Sequence, residues 1–297
     1  MAIFKLKPAC KNYIWGGRKL IDEYKFETNE KILAEAWMLS AHKDGMSIIT
    51  SGKFAGKTFG EYLQQEKIFE KFPILIKFLD VKDKISVQVH PDDSYALKNE
   101  NQFGKNEFWY IIDAEPNAYI YYGFKKKISK EEFKRRIEEN TLLEVLNKIN
   151  VKKGDSFFVS SGTLHAAGSG VLIAEIQENS NVTYRVFDYG RDRPLHIEKA
   201  LDVTKLEPSL NAKNFPHLAD CKYFTVDKIN LDGKILSEIG GTVDEKNSLS
   251  VLILDGIGKI FACGEELNFQ KGDSIFISAN SGDWKICGSC DALLTTI

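Results

Sequence analysis

Short β-branched and aromatic runs, set off by Gly, Asp or Asn, make up most of the chain. Ile85–Val89, Phe108–Ile112, Ser156–Val159, Val171–Ile176, Val251–Leu254 and Ser274–Ile277 all read as strands. Helices are few and announce themselves by capping patterns. Thr58-Phe-Gly-Glu61 is a capping box ahead of an amphipathic stretch to about Phe72. Pro91-Asp-Asp-Ser94 opens another helix, running to about Asn99. Boxes at Ser129-Lys-Glu-Glu132 and Thr141-Leu-Leu-Glu144 predict a pair of helices, each of about two turns or more, over roughly 128–150.

An internal repeat sets the architecture. Residues 152–160 read KKGDSFFVS and residues 271–278 read KGDSIFIS, each a Gly-Asp turn followed by a strand. Upstream, Tyr110-Ile-Ile-Asp113 resembles Leu252-Ile-Leu-Asp255. Asp113 to Gly154 spans 41 positions and Asp255 to Gly272 spans 17; the difference, 24, is about the length of the predicted helical pair. The expected fold is therefore mainly β: two jelly-roll barrels related by duplication, with a helical insertion in the first.

Length and charge agree with this and exclude other classes. A chain of 297 residues suggests about two domains, long enough to bury a core without staples. Forty basic residues against 42 acidic ones leave a net charge of -2, so composition offers no basic face to nucleic acid. No apolar run approaches the ~20 residues of a membrane span. The N-terminus shows no apolar stretch of secretory-signal length. Five scattered cysteines suit a reducing compartment, and a cytoplasmic protein is expected. Cys287 and Cys290 form a lone C-x-x-C that lacks both a second ligand pair and a following helix, and read as two small strand residues.

Chemistry gathers in four segments. In Ile85-Ser-Val-Gln-Val-His90-Pro91, alternation sends Ser86, Gln88 and His90 to one face. An exposed edge would favour Lys, Glu or Thr there, and the neighbouring Gln88 turns His90 from a structural histidine towards a ligand. Lys105 and Glu107 share a strand face; alone, they would be an ordinary ion pair. Gly162-Thr-Leu-His165 enters a small-residue loop. In the repeat, Glu107 aligns with Leu249 and His165 with Asp283. The second copy keeps the turn and strands and lacks both groups, so the shared fold does not need them. Gln88, His90, Glu107 and His165 together offer two imidazoles, a carboxylate and an amide oxygen. That set suits Zn²⁺ in a site with room for substrate, and would also suit Fe²⁺ or Mn²⁺. In the fourth segment, Glu175, Gln177 and Asn179 share parity, and Arg185 follows among apolar residues, where a buried ion pair is the plain alternative.

Ser86-Val-Gln-Val-His-Pro-Asp92, Lys105-Asn-Glu107, Gly162-Thr-Leu-His165-Ala166 and Asn179-Ser-Asn-Val-Thr-Tyr-Arg185 resemble motifs of the type I phosphomannose isomerases, in their short bacterial form. Trp15-Gly-Gly17 and Arg193-Pro-Leu-His-Ile197 look like that family too, so the resemblance covers essentially the whole chain. One departure is Asn181, where the family often has Asp. The resemblance implies a bicupin: a catalytic cupin over 1–210 and a degenerate one over 211–297. It implies one Zn²⁺ held by Gln88, His90, Glu107 and His165, and interconversion of mannose 6-phosphate and fructose 6-phosphate through an enediol. Arg185 would steady the enediolate, and Glu175 is the candidate base by parity and family position. Ser86 and Lys105 would contact the phosphate. The implied partner is a phosphorylated hexose, with neither nucleic acid nor membrane; oligomeric state stays open. Two other readings are a sugar-phosphate-binding or regulatory cupin without turnover, and an iron dioxygenase, whose ligand set is usually richer in His.

Overall fold

The computed structural model describes residues 1–209 and 217–297. The boundary expected at 210/211 falls outside them. Strands dominate: a six-stranded and a five-stranded sheet build a first unit, and a nine-stranded sheet builds the second. In the first unit, a six-stranded sheet runs in the order Ser156–Val159, Glu107–Ala114, Val171–Glu178, Ile74–Val81, Glu35–Leu39, Ala9–Lys11. It faces a five-stranded sheet ordered Tyr184–Phe187, Val87–Val89, His165–Ala167, Tyr119–Phe124, Leu146–Asn150.

The second unit repeats this order with longer strands. Leu249–Ala262 and Gly282–Thr296 pair along nearly their whole lengths, from Leu249 opposite Thr296 to Ala262 opposite Trp284. The first half of Leu249–Ala262 pairs with Ser274–Ile277 as Glu107–Ala114 pairs with Ser156–Val159: Leu252 opposes Ser274 as Tyr110 opposes Ser156. Both copies carry a bulge at the same place, skipping Ile112 in one and Leu254 in the other. The Gly-Asp turns match bond for bond. Gly154 N donates to Ile111 O and Ile111 N to Asp155 O; Gly272 N donates to Ile253 O and Ile253 N to Asp273 O, all at 2.9 Å. Each turn needs a residue at positive φ, 90° for Gly154 and 87° for Gly272, which only glycine adopts without cost.

Alternation along these strands divides the core in three. Trp109 and Ile111 point into the first unit, Val251 and Ile253 into the second. Phe108, Tyr110 and Ile112 point the other way and meet Leu252, Leu254 and Phe276 in a shared layer between the units. Glu107 has the parity of Trp109, so it faces the interior of the first unit.

Two expectations change. The helical pair at 128–150 is one helix, Lys130–Glu138, capped by Ser129 Oγ accepting from Glu132 N at 3.1 Å. Asn140 then takes a left-handed φ of 57°, and Thr141 follows at φ -107°, ψ 11°, away from the extended backbone a capping residue needs. Leu142–Glu144 is accordingly a single 3₁₀ turn, and Leu146–Asn150 returns as an edge strand. Likewise the first capping box holds, but its helix stops at Gln65. At the start of the chain, Ile3–Lys7 pairs with Ser274–Ile277 and so extends the sheet of the second unit. Ser274–Ile277 offers a free edge there, which an apolar strand satisfies.

Candidate active site

The first unit's interior is a cavity of about 300 Å³ whose lining includes Ser86, Gln88, Lys105, Glu175 and Arg185. Strand register builds it. His165 lies opposite Gln88, and Arg185 lies on the other side of Gln88. Glu175 lies between Trp109 and Lys77.

At the cavity floor, ligand atoms of His90, Glu107 and His165 lie within 4.8 Å of one another, and all three residues are buried. His90 Nδ1 is 2.8 Å from Val182 O and His165 Nδ1 is 2.9 Å from Thr163 O. A carbonyl only accepts, so each Nδ1 carries the proton and each Nε2 presents a lone pair. Those lone pairs face Glu107: His90 Nε2 is 3.4 Å from Oε2, and His165 Nε2 is 3.1 Å from Oε1, an oxygen that no hydrogen bond satisfies. Acceptors converging in a dry place call for a cation. A metal ion fits this donor set, with the Gln88 amide 3.4 Å from His165 Nε2 as a further neighbour. Lys105 lies beside the same acceptors. Its ammonium contacts Glu107 and lies 3.3 Å from His90 Nε2 and 3.9 Å from Glu175 Oε1.

Charges here are strongly perturbed. Burial, then the Lys105 charge, pushes His90 down to about 3, which keeps it neutral. Burial disfavours the Glu107 charge, but Lys105, His165 and His90 outweigh it and hold the carboxyl well below its ordinary range. Glu175 moves the other way. Burial raises it, and the Glu107 charge adds to that against Lys105 and Lys77. Glu175 Oε1 accepts from Trp109 Nε1 at 2.9 Å, and Oε2 is 3.4 Å from Lys77 Nζ. Burial works against the Lys77 ammonium, but Glu35 and Glu175 hold it protonated. Nearer the mouth, Arg185 Nε donates to Ser86 Oγ at 3.3 Å and Arg185 Nη1 to Pro194 O at 2.9 Å.

Comparison with known proteins gives a consistent answer. Residues 3–129 match the catalytic-domain model of type I phosphomannose isomerase, and residues 212–297 match a mannose-6-phosphate isomerase cupin-domain model. A mannose-6-phosphate isomerase of Bacillus subtilis is 34% identical, with 97% of each chain covered. One from Streptococcus mutans is 36% identical, over 94% of this chain and 93% of that one. The chain belongs to the type I phosphomannose isomerase family. The crystal structure of a Bacillus subtilis mannose 6-phosphate isomerase superposes with a TM-score of 0.90 at 34% identity, covering 100% of both chains. A variant of the Salmonella typhimurium phosphomannose isomerase, 16% identical, shares the fold at a TM-score of 0.80 over 99% of both chains.

In this family member, all four expected metal ligands, both expected phosphate contacts, Glu175 and Arg185 lie in or around one cavity. Gln177 and Asn179 do not follow Glu175 into it. Gln177 donates to Glu178 O and Ser180 O at 2.8 and 2.7 Å. Lys77, Glu35 and Trp109 were not singled out from sequence. Lys77 had a readable signal, a lone cation in Ile74–Val81, a strand buried at every position. Among the described residues no helix is long and apolar enough to cross a membrane.

A further buried carboxyl, Glu178, lies where the units meet. Asn106 N and Nδ2 donate to Glu178 Oε1 at 2.8 and 2.6 Å. Asp93 sits beside Glu178 and accepts from Gly104 N at 2.8 Å and from Tyr223 of the second unit. Burial, and then Asp93 against the Asn106 donors, pushes Glu178 up to about 7.

Proposed function

We propose that the protein interconverts mannose 6-phosphate and fructose 6-phosphate by moving a proton between C1 and C2. The observation that carries this is the joint lining of one cavity. Arg185 and Glu175, whose pKa burial raises, line it with Gln88 and Lys105, which lie beside an acceptor cluster fit for a metal. The family's named relatives are mannose-6-phosphate isomerases. A volume of about 300 Å³ is at the small end of ligand sites, suited to a monosaccharide phosphate.

His90, Glu107 and His165, with the Gln88 amide, would hold the ion. Imidazole and carboxylate without thiolate suit Zn²⁺ with an open position, one per chain. Such an ion polarises a carbonyl oxygen when bound. Glu175 takes the proton from the sugar carbon, its basicity raised by burial. Arg185 steadies negative charge on the enediolate oxygens. Ser86, beside Arg185 near the mouth, binds the phosphate. Lys105, also in the cavity lining, serves it too. Phosphate binding orients C1 and C2 at a distance.

The shared strand order, the matched bulge and the matched Gly-Asp turns support reading the two units as a bicupin. On that reading 1–210 carries the catalytic cupin and 211–297 the degenerate one. The Lys130–Glu138 helix lies in the stretch that distinguishes the first copy.

A coupled assay with mannose 6-phosphate, with and without chelator, tests the function. Turnover lost on chelation and restored by Zn²⁺ is expected. Binding without turnover would instead establish a sugar-phosphate-binding protein, and turnover untouched by chelation would remove the metal from the reading.

A further inference from the structure

We propose that Trp109 is a positioning residue for this reaction: its indole N–H fixes the Glu175 carboxylate while its ring edge fixes the His165 imidazole. The inference rests on Glu175 being the base. Trp109 is fully buried, and Nε1 donates to Glu175 Oε1 at 2.9 Å. Its ring meets that of His165 edge-on, with centroids 5.3 Å apart and planes at 84°. One side chain thus braces the proton acceptor and a metal ligand together.

The second unit shows that the fold does not ask for this. Trp109 lies directly opposite Glu175 in the first unit's sheet. At the equivalent cross-strand place the second unit has Val251 opposite Leu294. Both members of the pair differ, and in the first unit they are the two halves of a hydrogen bond. A filler of the core could be any large apolar side chain. A buried indole N–H needs an acceptor and a buried carboxylate needs donors, and here each meets the other's need.

The bond also sets direction and charge. With Oε1 held by the indole, Oε2 is turned towards Lys77 Nζ at 3.4 Å, which fixes the carboxylate plane. The charged groups around Glu175 are Lys77, Lys105, Glu107 and Glu35. A donor to the ionised carboxylate favours that form and opposes burial.

Trp109→Phe keeps a ring and removes the N–H. We expect kcat to fall about 10- to 100-fold, the size seen when a supporting hydrogen bond of a site is lost. KM for mannose 6-phosphate and bound metal per chain should stay unchanged. The acid limb of the kcat–pH profile should move to higher pH, a readout that core filling alone would not shift. In a Glu175→Gln background the same substitution should cost nothing more. If Trp109→Phe fails to fold, benzothienylalanine at 109, which puts sulfur in place of the N–H, gives the same test. An unshifted limb and unchanged kcat overturn the role of Trp109. Full activity in Glu175→Gln overturns instead the base reading on which it stands.

Discussion

The two units of this protein use one strand plan and fill it differently. In the first, the inward positions of two neighbouring strands carry Glu107, Trp109 and Glu175; in the second, the matching positions carry Leu249, Val251 and Leu294. Buried His165 opposes half-buried Gln88, whereas Asp283 and Thr242 oppose each other as an exposed pair, joined by a 2.7 Å hydrogen bond. The plan requires only that a side chain point inward; what it is made of is free. Chemistry enters as a change of residue type at fixed addresses, and the apolar copy shows that the addresses are stable without it.

The largest effect should come from exchanging one address in each unit. His165→Ala should lose metal and turnover together, by more than the about 100-fold typical of a lost supporting contact, with the melting temperature of the metal-free protein unchanged. Asp283→Ala should leave activity intact. Equal losses in both would break the contrast; metal analysis and the coupled assay decide it. Next in size is Lys105→Ala, expected to raise KM by about 10-fold or more, the worth of one charge-assisted contact. An unchanged KM would remove Lys105 from the phosphate and leave it only its contact with Glu107.

The smallest effect belongs to the seam. Glu178 binds its proton more tightly when folded, at about 7, than an ordinary carboxyl does when unfolded. The folded state therefore holds more protons in between, and this contribution to stability is lost as pH rises through about 7. The groups facing Glu178 are Asn106, Asp93, Cys221 and Tyr223, with the Lys222 charge acting on Asp93. Glu178→Gln mimics the protonated form. Its melting temperature relative to the parent should rise between pH 5 and pH 8; a constant difference would mean that no proton is held at the seam.

Much of the site could be read from the chain because strand alternation is local. Ser86, Gln88 and His90 are two apart, as are Lys105 and Glu107, and the cavity keeps them together. The repeat extended that reading across long separations, since Gly-Asp turns give fixed reference points. Lys77 and Glu35 escaped it, because their partners are set by register between strands far apart in sequence. Gln177 shows the converse failure: its parity is right, but nearby backbone carbonyls bind its amide first. The second predicted helix failed on a single backbone angle at Asn140.

The pairing of Ile3–Lys7 with Ser274–Ile277 imposes an order on biosynthesis. The first of these strands emerges some 270 residues before its partner exists, a wait on the order of 10–50 s at ordinary rates of translation. During that interval an apolar segment stays without its sheet, while the units' shared core has only one of its two faces. The sheet of the second unit therefore takes in its first-made strand only after Ser274–Ile277 has emerged.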